Sequence, residues 1–111
     1  MYKIILTTIL TLLMSAHTGL CENLCDQIYN SDLYHLCSDE PELIKNGDLR
    51  NLGMGQCNLI ENENIYYYCK GDNGQIIDRN WRALADGNCH LISGDQGLYY
   101  YCKKKINKKP R

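Results

Sequence analysis

Cys21-x3-Cys25 and His35-x-Cys37 place four nitrogen and sulfur ligands in one short stretch, a donor set that zinc accepts. Cys21 is also a formal candidate nucleophile, with His35 or His90 to take the thiol proton, as thiol chemistry requires. Both readings meet the same objection. Cys25, Cys57 and Cys89 recur at a fixed step of 32 residues, and each is answered by a second cysteine, Cys37, Cys69 and Cys102. The later copies carry Tyr67 and Tyr100 where the first has His35, and nothing matches Cys21. A zinc or catalytic role would therefore be private to one copy, whereas the shared cysteines need a role that every copy can perform. His90 aligns with Asp26 and Asn58, a polar position with no shared chemistry, and reads as a surface residue. No paired carboxylates, serine–histidine set or phosphate loop stands out. The sequence thus gives no catalytic residue, no metal ligand and no cofactor, and an enzyme is the weakest functional reading.

The role every copy can perform is a disulfide. Lys3 precedes a mostly apolar, uncharged run from Ile4 to Met14, followed by Ser15 and Ala16. A positive start, an apolar core of about 7–15 residues and small residues at the exit describe a secretory signal peptide, here residues 1–16. The run is too short for the ~20 apolar residues that span a bilayer. Leu20, directly before Cys21, is too large for a lipid-attachment site. A short exported chain with seven cysteines is a disulfide scaffold before it is anything else. A chain this small has a thin core that such staples supplement. Pairing within each copy is simplest: Cys25 with Cys37, Cys57 with Cys69, Cys89 with Cys102. Pairing between copies, Cys37 with Cys57 and Cys69 with Cys89, is the alternative. Cys21 is left over, unpaired or intermolecular, and reads as a dimer-forming or free thiol.

The period extends beyond the cysteines. Ile28, Ile60 and Ile92 sit three places after each first cysteine. A polar, turn-forming patch follows, then Leu33, Ile65 or Leu98, then Tyr34, Tyr66 or Tyr99. The linkers match as well: Leu49-Arg50-Asn51-Leu52 with Gly55 lies one step before Trp81-Arg82-Ala83-Leu84 with Gly87. Such self-similarity is the mark of a repeat architecture. Within the first copy, Leu33, Leu36 and Cys37 share a helical face with Ser31 or Asp32 placed to cap it. Pro41 suits a first helical turn, and Trp81 to Ala85 read as helical before the Asp86-Gly87 stop. The expected fold is mainly α, a small disulfide-stapled array of three ~32-residue repeats of short helices. The rival is a small all-β or α+β repeat of disulfide-linked hairpins, because Ile65 to Tyr68 and Leu98 to Tyr101 are strong strand formers. The organisation is a signal peptide at 1–16 and one domain at 17–102, with repeats at about 25–56, 57–88 and 89–102. A basic flexible tail follows at 103–111.

The motif Cys-x-x-Ile, a polar turn, then Leu or Ile and Tyr-x-x-Cys resembles repeats of small uncharacterised exported bacterial proteins. Those carry Ile-x-Asp-x-Asp-Leu-Arg-x-x-Cys segments. Cys25 to Cys37 is the nearest match and keeps Asp32-Leu33, while Tyr34, Tyr66 and Tyr99 stand where arginine is expected. The resemblance implies a helical, disulfide-linked repeat and carries no activity with it.

Charge is segregated. Residues 21–102 hold all thirteen acidic residues and five basic ones, whereas residues 103–111 hold six basic residues and no acid. The bland reading is a solvated tail; the sharper one is attachment to an anionic surface through Lys103, Lys104 and Lys105. The acidic body and a tail without aromatics for stacking argue against nucleic acid. The tyrosine triplets 66–68 and 99–101 are the other binding candidates, since tyrosine offers rigid contact area with a polar tip. Tyr34, Tyr66 and Tyr99 are expected in the core, and Tyr67 and Tyr100 toward a partner. The favoured function is an exported, disulfide-stabilised repeat module that binds a protein or glycan partner, because repeats build surfaces. A secreted toxin, inhibitor or host-directed effector is the runner-up.

Overall fold

The computed structural model describes residues 23–108; residues 1–22, with the expected signal peptide and Cys21, and residues 109–111 lie outside the described residues. Five short α-helices alternate with five single 3₁₀ turns, and no strand occurs among the described residues. The helices are α1 (Ser31–Cys37), α2 (Gly47–Met54), α3 (Glu63–Lys70), α4 (Arg79–Asp86) and α5 (Gln96–Lys108). The turns that precede them are Leu24–Gln27, Pro41–Leu43, Cys57–Leu59, Asn73–Gln75 and Cys89–Leu91. The helical reading therefore holds and the hairpin alternative does not. None of these helices is long and apolar enough to cross a membrane.

The structural unit is half the length of the cysteine step. Ile28, Ile44, Ile60, Ile76 and Ile92 recur every 16 residues, each directly after its 3₁₀ turn and each buried. Next comes a helix cap. Asn30, Asn46, Asn62 and Asp78 accept the N–H of Leu33, Leu49, Ile65 and Trp81 at 3.0–3.1 Å. Asp95 does the same for Leu98 at 3.0 Å. Such caps satisfy a donor that the first turn leaves open and contribute about 1 kcal/mol each. The fifth unit has one extra residue, Gly94, in the left-handed region at φ 72°, which is why its cap falls one place late. At the other end, Gly55, Gly71 and Gly87 stop α2, α3 and α4 with φ of 75–78°, a conformation that favours glycine.

Each unit is joined to the next by one side chain of the first helical turn. The Asp32 carboxylate accepts the N–H groups of Lys45 and Asn46 at 2.9 and 3.1 Å. Asp48 accepts those of Glu61 and Asn62 at 2.9 and 3.0 Å, and the Asn64 oxygen those of Ile77 and Asp78 at 2.9 and 3.1 Å. Asn80 accepts from the Ser93 N–H and donates to the Ser93 carbonyl, at 3.1 and 2.9 Å. Gln96 in the fifth unit reaches back to the first: its oxygen accepts the Tyr29 N–H at 3.2 Å and its amide donates to the Gln27 carbonyl. Each helix packs on its neighbour, and α5 packs on both α1 and the first 3₁₀ turn. The array is thus a closed ring of five units. Leu33, Leu49, Ile65, Trp81 and Leu98 line one end of its axis, at the capped helix starts.

The disulfides join the 3₁₀ turn to the helix of the same unit: Cys25–Cys37, Cys57–Cys69 and Cys89–Cys102, each with Cα atoms 5.6 Å apart. The between-copy pairing is ruled out, and the Cys25–Cys37 bridge removes two ligands from the zinc reading. Units two and four hold the same junction by other means. In unit two a Cβ added at Gly53 would stand 3.0 Å from Pro41 Cβ. In unit four the Asn73 amide donates to the Ala85 carbonyl at 3.1 Å. Five equivalent junctions are therefore closed alternately by a disulfide and by a close packing or hydrogen-bonded substitute.

One sequence expectation needs correcting. The domain was expected to end at Cys102, but α5 runs to Lys108. Lys104 occupies the place where the preceding units carry Gly87, Gly71 and Gly55, so nothing stops the helix. Residues 103–108 therefore continue the last helix.

The repeat predicts that Pro41→Cys with Gly53→Cys forms a fourth bridge. Disulfides want Cβ atoms about 3.5–4.5 Å apart, so the 3.0 Å Pro41–Gly53 approach has to open only slightly to take one. Loops of this length gain roughly 3 kcal/mol in the chain-entropy account, so the melting temperature should rise and thiol titration should find no new free thiol. Two free thiols after oxidation would show that unit two is not built like its neighbours.

Candidate functional site

The C-terminal ends of the helices surround a wide opening on the ring axis. It encloses about 580 Å³, with Leu36, Leu52, Tyr68 and Tyr101 on its walls and Asp39, Gly55, Gly71, Lys104 and Lys105 among its other lining residues. The volume falls in the ~300–1,000 Å³ range of small-molecule sites.

Repetition separates scaffold from specialisation here. The inward position three residues after the first lumen residue is Leu36, Leu52 and Leu84 in units one, two and four, but Tyr68 and Tyr101 in units three and five. The helix-stop position is Gly55, Gly71 and Gly87 in units two to four, but Asp39 in unit one and Lys104 in unit five. Asp39 is the one non-glycine residue at positive φ, 62°, among the described residues. It makes the same terminal bonds as the glycines: its N–H reaches the Leu36 carbonyl, and the Glu40 N–H reaches His35. Left-handed backbone costs a non-glycine residue roughly 1–2 kcal/mol, with aspartate among the better tolerated. All four departures line the same opening.

These groups act on one another. Tyr68 and Tyr101 pair through their side-chain hydroxyls across the axis. Burial pushes the Tyr101 hydroxyl far above the ordinary tyrosine range. The Tyr68 phenol, its hydrogen bond and the Asp39 carboxylate all add to the rise. Burial also raises Tyr68, and the hydrogen bond with Tyr101 offsets part of that. Tyr68 stacks at a tilt on Trp81, ring centres 5.4 Å apart. Lys105 lies over the Tyr101 ring, its ammonium 5.6 Å from the ring centre. Lys104 donates to the Cys37 carbonyl and so caps the end of α1. The Cys57–Cys69 bridge lines the opening and is partly exposed, whereas the other two bridges are buried.

The sequence-predicted residues divide. Lys104 and Lys105 line the opening, and Lys103 is exposed beside it with its ammonium 6.0 Å from the Tyr99 ring centre. Tyr67 and Tyr100 do not line the opening. Both are half-buried, edge-to-face against Tyr66 and Tyr99 at ring-centre distances of 5.3 and 5.1 Å, and Tyr100 packs on the core. Tyr34, Tyr66 and Tyr99, expected in the core, are also only half-buried. The tyrosines that turn inward are the last of each triplet, Tyr68 and Tyr101. The Leu33–Leu36 spacing, laid onto Ile65 and Leu98, contains the signal for them. Asp39 gives no such signal until the glycine position it replaces is known.

His35 bonds Glu40 at 3.0 Å and does not line the opening, and His90 is exposed. Among the described residues no group of three histidine, cysteine or acidic side chains converges to hold a metal ion. No family model, curated protein or solved structure matches this chain.

Two predictions follow from this end of the ring. Asp39→Gly should raise stability by about 1 kcal/mol, read as a higher denaturant midpoint at unchanged slope, because it relieves left-handed backbone. At alkaline pH the sign is opposite. Unfolded tyrosines ionise near pH 10, while folded Tyr68 and Tyr101 keep their protons. The folded state then binds more protons, so stability is full below about pH 10 and falls as pH rises above it. Phenolate absorbance should show both residues ionising only as helical ellipticity is lost. Their ionisation in a chain that stays helical would contradict the assignment.

Proposed function

We propose that the chain is an exported, disulfide-stabilised repeat module that binds a protein or glycan partner, and that the open end of the ring is where it does so. The observation that carries this reading is the convergence of the repeat's departures. Asp39, Tyr68, Tyr101 and Lys104 replace residues that serve the scaffold in other units, and all of them line one opening. Asp39 does so in a backbone conformation that other units give to glycine. Strained residues of this kind concentrate at binding and switch sites.

The compartment supports the same reading. Three disulfides form and persist where the surroundings are oxidising, outside the cytoplasm. The apolar run at the start of the chain provides a route there. Hydroxyls, a carboxylate and ammonium groups around an apolar floor are recognition chemistry: each can donate or accept a hydrogen bond, and the floor takes an apolar face. The resemblance to exported bacterial repeats agrees in fold and adds no activity.

The test returns the opening to the sequence of the other units. A variant carrying Asp39→Gly, Tyr68→Leu and Tyr101→Leu should keep its three disulfides and its helical spectrum. It should lose retention on envelope fractions and glycan arrays that hold the unmodified protein. Retention unchanged on every such surface would place the binding function elsewhere.

A further inference from the structure

The opening's chemistry narrows the partner. Resting on the binding-module reading above, we infer that it takes the acidic end of a saccharide, a terminal sugar bearing a carboxylate.

Charge is the first reason. The body from residue 21 to 102 is strongly acidic, and every basic residue past Cys102 lies on or beyond α5. Because α5 continues where other helices stop, it carries Lys103, Lys104 and Lys105 to this end of the ring. Lys104 and Lys105 line the opening itself. An anion approaching the molecule is turned away by the body and drawn to this one end. A carboxylate there meets the Lys105 ammonium and forms a charge-assisted hydrogen bond.

The second reason is Asp39. A site meant only for anions, such as a phosphate or a lipid head group, gains nothing from a carboxylate among its lining residues. A sugar does: paired hydroxyls donate to the two oxygens of one carboxylate. The paired Tyr68 and Tyr101 hydroxyls line the opening, and whichever of the two accepts from the other has a proton to donate to a ring or hydroxyl oxygen. The apolar Leu36 and Leu52 walls suit the C–H face of a sugar ring. Carboxylate-binding, hydroxyl-binding and apolar groups thus share one concave opening. A flat membrane surface could not engage all three.

The experiment is calorimetric titration of the oxidised full chain with trisaccharides ending in galacturonic, glucuronic or sialic acid. Each is compared with its methyl ester and its neutral counterpart. At least one acidic form should bind, about tenfold or more tightly than its ester, and more weakly as salt rises. Lys105→Gln should abolish the preference for the acid. Asp39→Asn should weaken acid and ester alike by about tenfold, because it removes an acceptor common to both. Equal binding of acid, ester and neutral forms would overturn the acidic end. Binding unchanged in both variants would overturn the site. No binding of any saccharide, by protein whose three bridges are confirmed by mapping, would overturn the saccharide class. The envelope-retention test would then decide separately whether the opening binds a protein instead.

Discussion

Closure of the ring rests on one recurring bond type, in which a side chain of each helix's first turn holds the backbone of the next unit. Asp32, Asp48, Asn64 and Asn80 make it between neighbours, and Gln96 makes it from the last unit to the first. Helices of seven or eight residues are too short to persist alone in water. An open stack of such units would also need terminal repeats with a polar outer face. A closed ring has no ends to cover, because α5 lies against α1 and the first 3₁₀ turn. The fifth unit is displaced by the inserted Gly94, and the longer reach of glutamine fits that displacement. Gly97 belongs to the same seam. A Cβ there would stand 2.8 Å from Leu33 Cδ1 and 3.2 Å from Ile28 Cγ2, so the smallest residue lets the last helix approach the first.

Within each unit a second constraint ties the 3₁₀ turn to its helix, and three chemistries satisfy it. The disulfides act chiefly by restricting the unfolded chain. Pro41 restricts the unfolded chain in a milder way, and Gly53 gives its ring room. Asn73 satisfies the Ala85 carbonyl near the end of α4, one of the acceptors a helix leaves open. Alternation around the ring places every substituted unit between two bridged ones. Burial is still uneven: the bridge of unit three is partly exposed, and Ile60 and Ile65 of that unit and Ile76 of unit four stand apart from the main core cluster.

The legible part of the fold was whatever the cysteines marked. Their step of 32 marks a repeat and favours pairing within copies, and the Leu33, Leu36 and Cys37 spacing favours helix, but the step conceals the true unit, because every second unit has no cysteine. Ile44 and Ile76 carry the shorter period as plainly as Ile28, Ile60 and Ile92 do, yet Pro41 and Asn73 give no hint that they stand in for cysteine. The position of Tyr34, Tyr66 and Tyr99 is held in the cysteine-free units by Arg50 and Arg82. Arg50 donates to the Ile44 carbonyl at 3.0 Å. The length of the last helix is hidden for a different reason. Helix termination here depends on a glycine at one position, and with Lys104 in that place the basic run inherits the helix. Closure between residues near 28 and near 97 is a long-range property that neither local propensity nor period specifies.

Departures from a repeat are informative in proportion to how strictly the repeat is otherwise obeyed. The isoleucine, the cap and the inter-unit link hold in all five units, with substitutions that preserve the bond. Against that regularity, a carboxylate at a left-handed helix stop and two phenols among lumen leucines are not drift toward equivalent parts. Asp39 adds strain where glycine would add none. Tyr68 and Tyr101 bring polar atoms into an apolar axis, where each needs the other as a partner. A scaffold selected for stability alone would remove all three. Their presence together, at the end of the ring that also receives the lysines of α5, is what singles that end out as the candidate site.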